Sequence, residues 1–281
     1  MEEDIIAQFS ALAHPGRLGV FRLLVRRAPD HVPAGEIAAA LNLPASTLSP
    51  YLAQLRQAGL VTERRHGTSR RYAAHVDGAV EMVDFLLGDC CRGRVPLCPH
   101  PGASVRETSD MTHRPYRVLF ICTGNSARSI FAEALLRDLG GDRFEVHSAG
   151  TRPQSELNPL AVKMLASKGH DTSTLRAKNV EEFRGAEPDP LDFVFTVCDR
   201  AANEDCPAWA GQPVSAHWGQ PDPVAATGTE AERMLAFQSV YGALRNRIQA
   251  FVALPIDSLD RAALQRGVDD IAHLDQTGET A

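Results

Sequence analysis

Cys122 and Arg128 stand six residues apart in CTGNSAR, separated by Thr123, Gly124, Asn125, Ser126 and Ala127, all small or polar. A thiol becomes a strong nucleophile when it ionises, and a guanidinium fork can hold two oxygens of a tetrahedral anion. The apolar run YRVLFI precedes the cysteine and SARSIFAEALLRDLGG follows the loop. That pattern predicts a buried strand, a tight loop, and a helix with Phe131, Ala134, Leu135 and Leu139 on one face, stopped at Gly140. Backbone N–H groups of such a loop converge on one point, and the helix N-terminus adds positive potential. The same field favours a thiolate at Cys122, to which the Ser129 hydroxyl can donate. Residues Thr123 to Ser129 are therefore expected to hold an oxyanion, and Cys122 to attack it.

The cysteines separate two chemistries. Phosphate ester hydrolysis needs a nucleophile, an arginine and a general acid, with water completing the cycle. Reduction of an oxyanion needs two electrons, which two thiols supply by becoming a disulfide. Cys198 closes the apolar run LDFVFTV, at the strand edge where open α/β sheets bind ligands, and Cys206 follows eight residues later in a polar segment. His147 and His217 fall on expected strands, where local hydrogen bonds account for them better than metal binding.

The loop CTGNSARS resembles that of the low-molecular-weight tyrosine phosphatases and of the arsenate reductases that share their fold. The resemblance continues through HSAGT, DFVFTVCDRAANEDCPAW and AHWGQPDPV, over residues 116 to about 255. It implies a four-stranded parallel α/β sheet with helices on both faces. Similarity to the three-cysteine, thioredoxin-coupled reductases implies that Cys122 attacks arsenate while Arg128 and the loop amides stabilise the developing charge. Asp222 in PDPV then protonates the leaving oxygen. Cys198 next attacks the Cys122 sulfur, arsenite departs, and Cys206 leaves a Cys198–Cys206 disulfide for a thioredoxin-like reductant. Asn125, Glu133 and Ser148 match positions where related reductases hold a structural monovalent cation; no tightly bound cofactor is implied. Two residues depart from family patterns. Ala127 stands where phosphatases carry a second loop cysteine, and Val224 where they often carry an aromatic ring, which argues against aryl phosphates.

Upstream, residues 2 to 75 read as short helices followed by a hairpin. Phe9, Leu12 and Ala13 end a first amphipathic segment, Leu18, Val20, Phe21, Leu23 and Leu24 make a second apolar face, and AGEIAAALNLP is a third segment. In ASTLSPYLAQLRQAGLV, Ser46 is expected to cap a helix whose Leu48, Leu52, Leu55 and Leu60 face inward. Ser46, Thr47, Ser49, Tyr51, Gln54 and Arg56 are then left to meet a DNA major groove, as in a helix-turn-helix. LVTERRHGTSRRYAA alternates around His66-Gly67, a hairpin whose Arg64, Arg65, Arg70 and Arg71 can meet phosphates. Residues 14 to 71 hold nine arginines, no lysine and three acidic residues, a local charge of +6 inside a chain of net charge −6.

SALAHPGRLGVFRLLVRR and AGEIAAALNLPASTLSPYLAQLRQAGLV resemble the ArsR family of winged-helix, metalloid-responsive repressors, over residues 5 to about 98, although Pro50 stands where many relatives carry His or Arg. The resemblance implies operator DNA as partner and a homodimer built on the helix in VDGAVEMVDFLLGDCC. It also implies arsenite as effector, held by Cys90, Cys91 and Cys98. Three thiolates suit As(III), whereas a tetrahedral Zn(II) would want a fourth ligand such as His100.

With 281 residues the chain has room for two domains. The expected fold class is a mainly α winged helix-turn-helix domain (1–98), a Pro-rich linker (99–114) and an α/β four-stranded parallel domain (115–275), with a disordered tail DQTGETA. No run approaches the ~18 apolar residues of a membrane span, and the first twenty residues lack a secretory pattern, so the expectation is a cytoplasmic protein with reduced thiols and no membrane partner. The functional expectation is an arsenite-responsive repressor fused to an arsenate reductase. Two alternatives stand beside it: a low-molecular-weight phosphatase tethered to a DNA-binding domain, and a non-catalytic DNA-binding redox or metal sensor.

Overall fold

The structure is a computed structural model that describes residues 2–86, 90, 114–184, 190–204, 209 and 211–274. The chain divides into two compact units at Met111/Thr112.

In the first unit α1 (Glu2–Leu12), α2 (Pro15–Arg26), α3 (Ala34–Ala40) and α4 (Ala45–Gln57) precede the hairpin of β2 (Val61–His66) and β3 (Ser69–Ala74), and α5 (Val76–Phe85) follows it. A short strand β1 (Val32–Pro33) pairs with β3, giving a three-stranded antiparallel sheet of order β1-β3-β2. Gly67, at φ +59°, makes the hairpin turn. Val20, Leu23, Leu24, Ile37, Leu48, Leu52, Leu55 and Leu60 form the core. Three expectations are corrected here. Leu18 is exposed, leaving the inward face of α2 to Val20, Leu23 and Leu24. Ser46 does not cap α4: Pro44 is the N-cap, its carbonyl accepting from Thr47 and Leu48, which places Ser46 inside the first turn. Tyr51 is half-buried, because its ring lies 5.0 Å from His14 and so close to Gly16 that a Cβ there would sit 2.5 Å away.

The second unit is a parallel sheet of β4 (Tyr116–Cys122), β5 (Phe144–Gly150), β6 (Phe193–Thr196) and β7 (Val214–His217), in the order β5-β4-β6-β7. Its helices are α6 (Arg128–Gly140), α7 (Pro159–Ser167), α8 (Asp199–Asn203), α9 (Glu230–Ala253) and α10 (Arg261–Ile271). Central β4 is buried from Arg117 to Cys122, as a parallel strand covered on both faces must be. Helix α6 is buried continuously from Ser129 to Leu136 between the sheet and α9, so the expected single apolar face was too narrow, and Leu139 is exposed. Phe195 and Trp218 stack at 4.1 Å beside Phe120 and Phe251. Helix α9 begins with a capping box between Thr229 and Glu232. Among the described residues, no helix is long and apolar enough to cross a membrane.

Helix α10 shields the edge strand β7. The Gln265 amide donates to Ser215 O (2.7 Å) and accepts from Ser215 N (3.4 Å), occupying backbone groups that a neighbouring strand would otherwise pair. It also donates to Asp269, whose carboxyl burial pushes up to about 6. A carboxyl raised on folding adds stability at low pH that is lost as pH rises through 6. Discounted for the partial exposure of Asp269, the loss near neutrality is about 1 kcal/mol. Asp269→Asn should therefore stabilise the fold by about 1 kcal/mol at pH 7.5, with the gain shrinking as pH falls toward 5, as read by urea unfolding at the two pH values. An equal gain at both would remove titration of Asp269 as its cause.

Candidate active site

Strand β4 ends at Cys122 and α6 begins at Arg128. The intervening carbonyls are turned outward and held there. Thr151 N donates to Cys122 O (3.1 Å), Arg152 N to Thr123 O (2.9 Å), Gln154 N to Gly124 O (2.9 Å) and Asn158 N to Ser126 O (3.0 Å). Peptide planes anchored in this way present their N–H groups to the inside of the loop, and Asn125 N accordingly donates to Cys122 Sγ at 3.1 Å. Gly150 allows the close approach, since a Cβ there would lie 2.7 Å from Thr123 O.

Asn125 occupies the left-handed region (φ 44°) and is fully buried. Its Nδ2 donates to Ser129 Oγ (2.9 Å) and Ser148 Oγ (2.8 Å), while Oδ1 accepts from Lys178 N (2.7 Å). The Ser129 hydroxyl lies 3.0 Å from Cys122 Sγ, and because an ionised sulfur can only accept, Ser129 is the donor to the thiolate form. Ser148 Oγ donates to Glu133 Oε2 (2.5 Å), which also accepts from Lys178 Nζ (3.0 Å). Asn125, Glu133 and Ser148 thus converge, but the positive charge at the spot expected to hold a monovalent ion is the buried ammonium of Lys178.

Arg128 donates to Gln220 O (3.2 Å) and pairs with Asp222 Oδ2 (3.2 Å), so the guanidinium and the candidate acid lie together. A cleft of about 730 Å³ opens over the loop, with Gln154, Glu156, Asn158, Arg200, Pro221 and Val224 in its walls. Cys198 is the N-cap of α8: its Sγ accepts from Ala201 N (3.4 Å) and lies 3.5 Å from Thr123 Oγ1. Burial pushes the Cys122 thiol up, and the charge of Cys198 pushes the same way; the Ser129 hydrogen bond and Arg128 oppose them. The local donors thus favour the thiolate, as expected, while burial opposes them.

Sequence reasoning missed Lys178, which no motif marks, and Gln220, which lies within AHWGQPDPV two residues before Asp222. Cys206, Cys91, Cys98 and His100 lie outside the described residues, and Cys90 is exposed. Among the described residues no group of three or more His, Cys, Asp or Glu is placed to hold a metal. His147 bonds Glu145 (2.8 Å), and His217 bonds Thr196 (2.8 Å) and Asp199 (3.0 Å). On the first unit, Ser46, Ser49, Gln54 and Arg56 are exposed along α4 and Thr47 is half-buried. Arg64, Arg65 and Arg70 are exposed on the hairpin and Arg71 is half-buried. Glu63 pairs with both Arg56 (3.1 Å) and Arg70 (3.4 Å).

A thiol, a guanidinium and a carboxyl gathered over an N–H-lined loop, at the carboxyl edge of a parallel sheet, define a protein that performs thiol chemistry on a bound oxyanion. Through residues 117–266, the chain belongs to the low molecular weight phosphotyrosine protein phosphatase family. Residues 12–64 match a helix-turn-helix domain, so such a domain is joined here to a phosphatase-like one. An arsenate reductase of Shouchella clausii is 38% identical over 136 residues, covering 48% of this chain and 93% of the relative. One of Bacillus subtilis is 37% identical over 137 residues, with the same coverage. A solved structure of an arsenate reductase in the phosphate-binding state is 26% identical, with a TM-score of 0.42, covering 49% of this chain and 97% of that one.

The polarity of the Ser129 bond has a measurable consequence. Ser129→Ala should slow iodoacetamide alkylation of Cys122 at pH 8 by about tenfold, because a hydrogen bond to a charged group is worth ~1.5 kcal/mol. With burial pushing the thiol up, the alkylation rate should keep climbing in the alkaline range, and the variant's profile should shift further up. Superimposable profiles would mean that Ser129 does not donate to the sulfur.

Proposed function

We propose that the second unit reduces arsenate to arsenite and that the first is an arsenite-responsive repressor, together a bifunctional arsenic-resistance protein. The observation that carries the enzymatic reading is the second buried thiol: Cys198 stands beside the nucleophile loop, close enough for its charge to act on Cys122. Hydrolysis has no use for that thiol, whereas two-electron reduction requires it. The likeness to the two arsenate reductases supports the same choice.

In the reaction, Cys122 sulfur bonds to As(V) and an arsenate oxygen leaves as water, protonated by Asp222, while Arg128 and the loop N–H groups hold the remaining oxygens. Cys198 then attacks the Cys122 sulfur. The S–As bond breaks with its electron pair on arsenic, releasing As(III) as arsenite and leaving a Cys122–Cys198 disulfide. Cys206 attacks Cys198, frees Cys122, and the resulting Cys198–Cys206 disulfide is reduced by the dithiol of a thioredoxin-type donor. A cytoplasmic setting keeps these thiols reduced.

For the first unit, the exposed face of α4 enters the major groove of operator DNA and Arg64 and Arg65 meet phosphates. Val76, Val80, Val83 and Leu86 are exposed on and just beyond α5, with Ile6 exposed on α1; this apolar surface suits a homodimer on a two-fold operator. Arsenite binds Cys90, Cys91 and Cys98 and releases the DNA. The proposed division is 1–98 for the regulator, 99–114 for the linker and 115–275 for the enzyme.

The enzymatic reading is tested by NADPH consumption with thioredoxin and thioredoxin reductase, beside hydrolysis of a chromogenic aryl phosphate. Arsenate-dependent oxidation should vanish in Cys198→Ser; turnover of the ester alone, indifferent to that change, would make the unit a phosphatase. For the regulator, arsenite should dissociate the wild-type chain from operator DNA, whereas Cys90→Ser should bind DNA and stay bound. Release of both by arsenite would remove Cys90 from the sensor.

A further inference from the structure

Thr196, His217 and Asp199 form a hydrogen-bonded row that the proposed relay does not use. His217, at the end of β7, has a fully buried side chain. Its Nδ1 lies 2.8 Å from Oγ1 of Thr196, its register partner at the end of β6, and its Nε2 lies 3.0 Å from Asp199 Oδ1. A carboxylate only accepts, so Nε2 carries the proton. The backbone ladder already joins β6 to β7, so the imidazole is not needed for that. What it adds is a grip on Asp199, the residue after Cys198 and the first of α8.

Helix α8 has five residues, too few to hold its own shape, so the placement of its first turn depends on outside contacts. The sulfur of Cys198 has weak ones, Ala201 N at 3.4 Å and Thr123 Oγ1 at 3.5 Å. The Asp199 carboxylate has a firm one, to a donor buried in the sheet. The chain passes beside this bond at Gly219, where a Cβ would lie 2.6 Å from His217 Nε2 and 2.7 Å from Asp199 Oδ1. We propose that His217 is a positioning residue: through Asp199 it fixes the turn that aims Cys198 at the Cys122 sulfur. This rests on the reductase reading, in which Cys198 must meet that sulfur in line.

His217→Leu removes the donor and His217→Gln retains an N–H. In the thioredoxin-coupled arsenate assay, His217→Leu should lose about 100-fold in turnover and His217→Gln should recover to within about tenfold of wild type, the scale expected for a misplacement near 1 Å. Equal losses in the two variants, or none, would overturn the proposal. Asp199→Ala, at a half-exposed side chain, guards against a buried variant that fails to fold. It should raise alkylation of Cys198, which is 1% exposed, by at least about tenfold, with Cys122 alkylation within about twofold of wild type, as peptide mapping resolves. Unchanged Cys198 alkylation would overturn the positioning role whether or not the chain reduces arsenate. Absence of arsenate-dependent oxidation in the wild type, with Cys198 released in Asp199→Ala, would sink only the reductase reading.

Discussion

Buried Asn125 directs its side-chain polar atoms and its backbone N–H to four different parts of the second unit. Its amide donors go to Ser129 at the start of α6 and to Ser148 on β5, its oxygen takes the N–H of Lys178, and its backbone N–H reaches the Cys122 sulfur. Each of these would be costly to leave unpaired at zero exposure. The left-handed backbone at Asn125 lets the loop close on itself. Its two amide protons go to the oxygens of two hydroxyls, Ser129 beside the Cys122 sulfur and Ser148, which donates to Glu133. The network ends in the Glu133–Lys178 pair, with Arg137 at the other carboxylate oxygen, which neutralises charge that the loop could not tolerate unpaired.

Features carried by local pattern were legible in the sequence. The run YRVLFI, the small polar loop and the helix after it needed only strand, turn and helix signals, and the hairpin needed only alternation around a glycine. What escaped depends on residues distant in the chain. Lys178 reaches the network because the segment before Asn179 pairs beside the end of β5, with Gly150 N bonded to Lys178 O, and no spacing rule announces that. Tyr51 sits on its helix where an outward residue belongs, and is covered only because the start of α2 packs over it. For Cys122 the loop donors are local and visible in the sequence, while the burial that opposes them is the work of the whole sheet.

Charge in the first unit follows a similar logic. Arginine counts give the helix-turn-helix and hairpin a strong positive balance, yet Glu63 already engages Arg56 and Arg70. The exposed cations of the hairpin free of that carboxylate are Arg64 and Arg65. Phosphate contacts by Arg56 and Arg70 would have to displace an existing partner, so part of their Coulomb gain is already taken inside the protein. Glu63 sits opposite Tyr72 in the sheet and between the two arginines, which also fixes the hairpin against the end of α4.

In the proposed relay a raised Cys122 thiol is a cost at two steps. It lowers the thiolate fraction for the first attack, a cost that the hydrogen bonds from Ser129 and Asn125 reduce. It also makes Cys122 a poorer leaving group when the disulfide is resolved, since thiols of lower pKa leave faster. Those two donors, already aimed at the sulfur, stabilise the departing thiolate as well as the attacking one, so one fixed set serves both steps. Cys198 adds to that cost, since its charge pushes the Cys122 thiol up as burial does, whereas a disulfide between the two sulfurs leaves neither a charge to bury. Burial, which hinders the nucleophile at the outset, therefore favours the oxidised pair that reduction must produce.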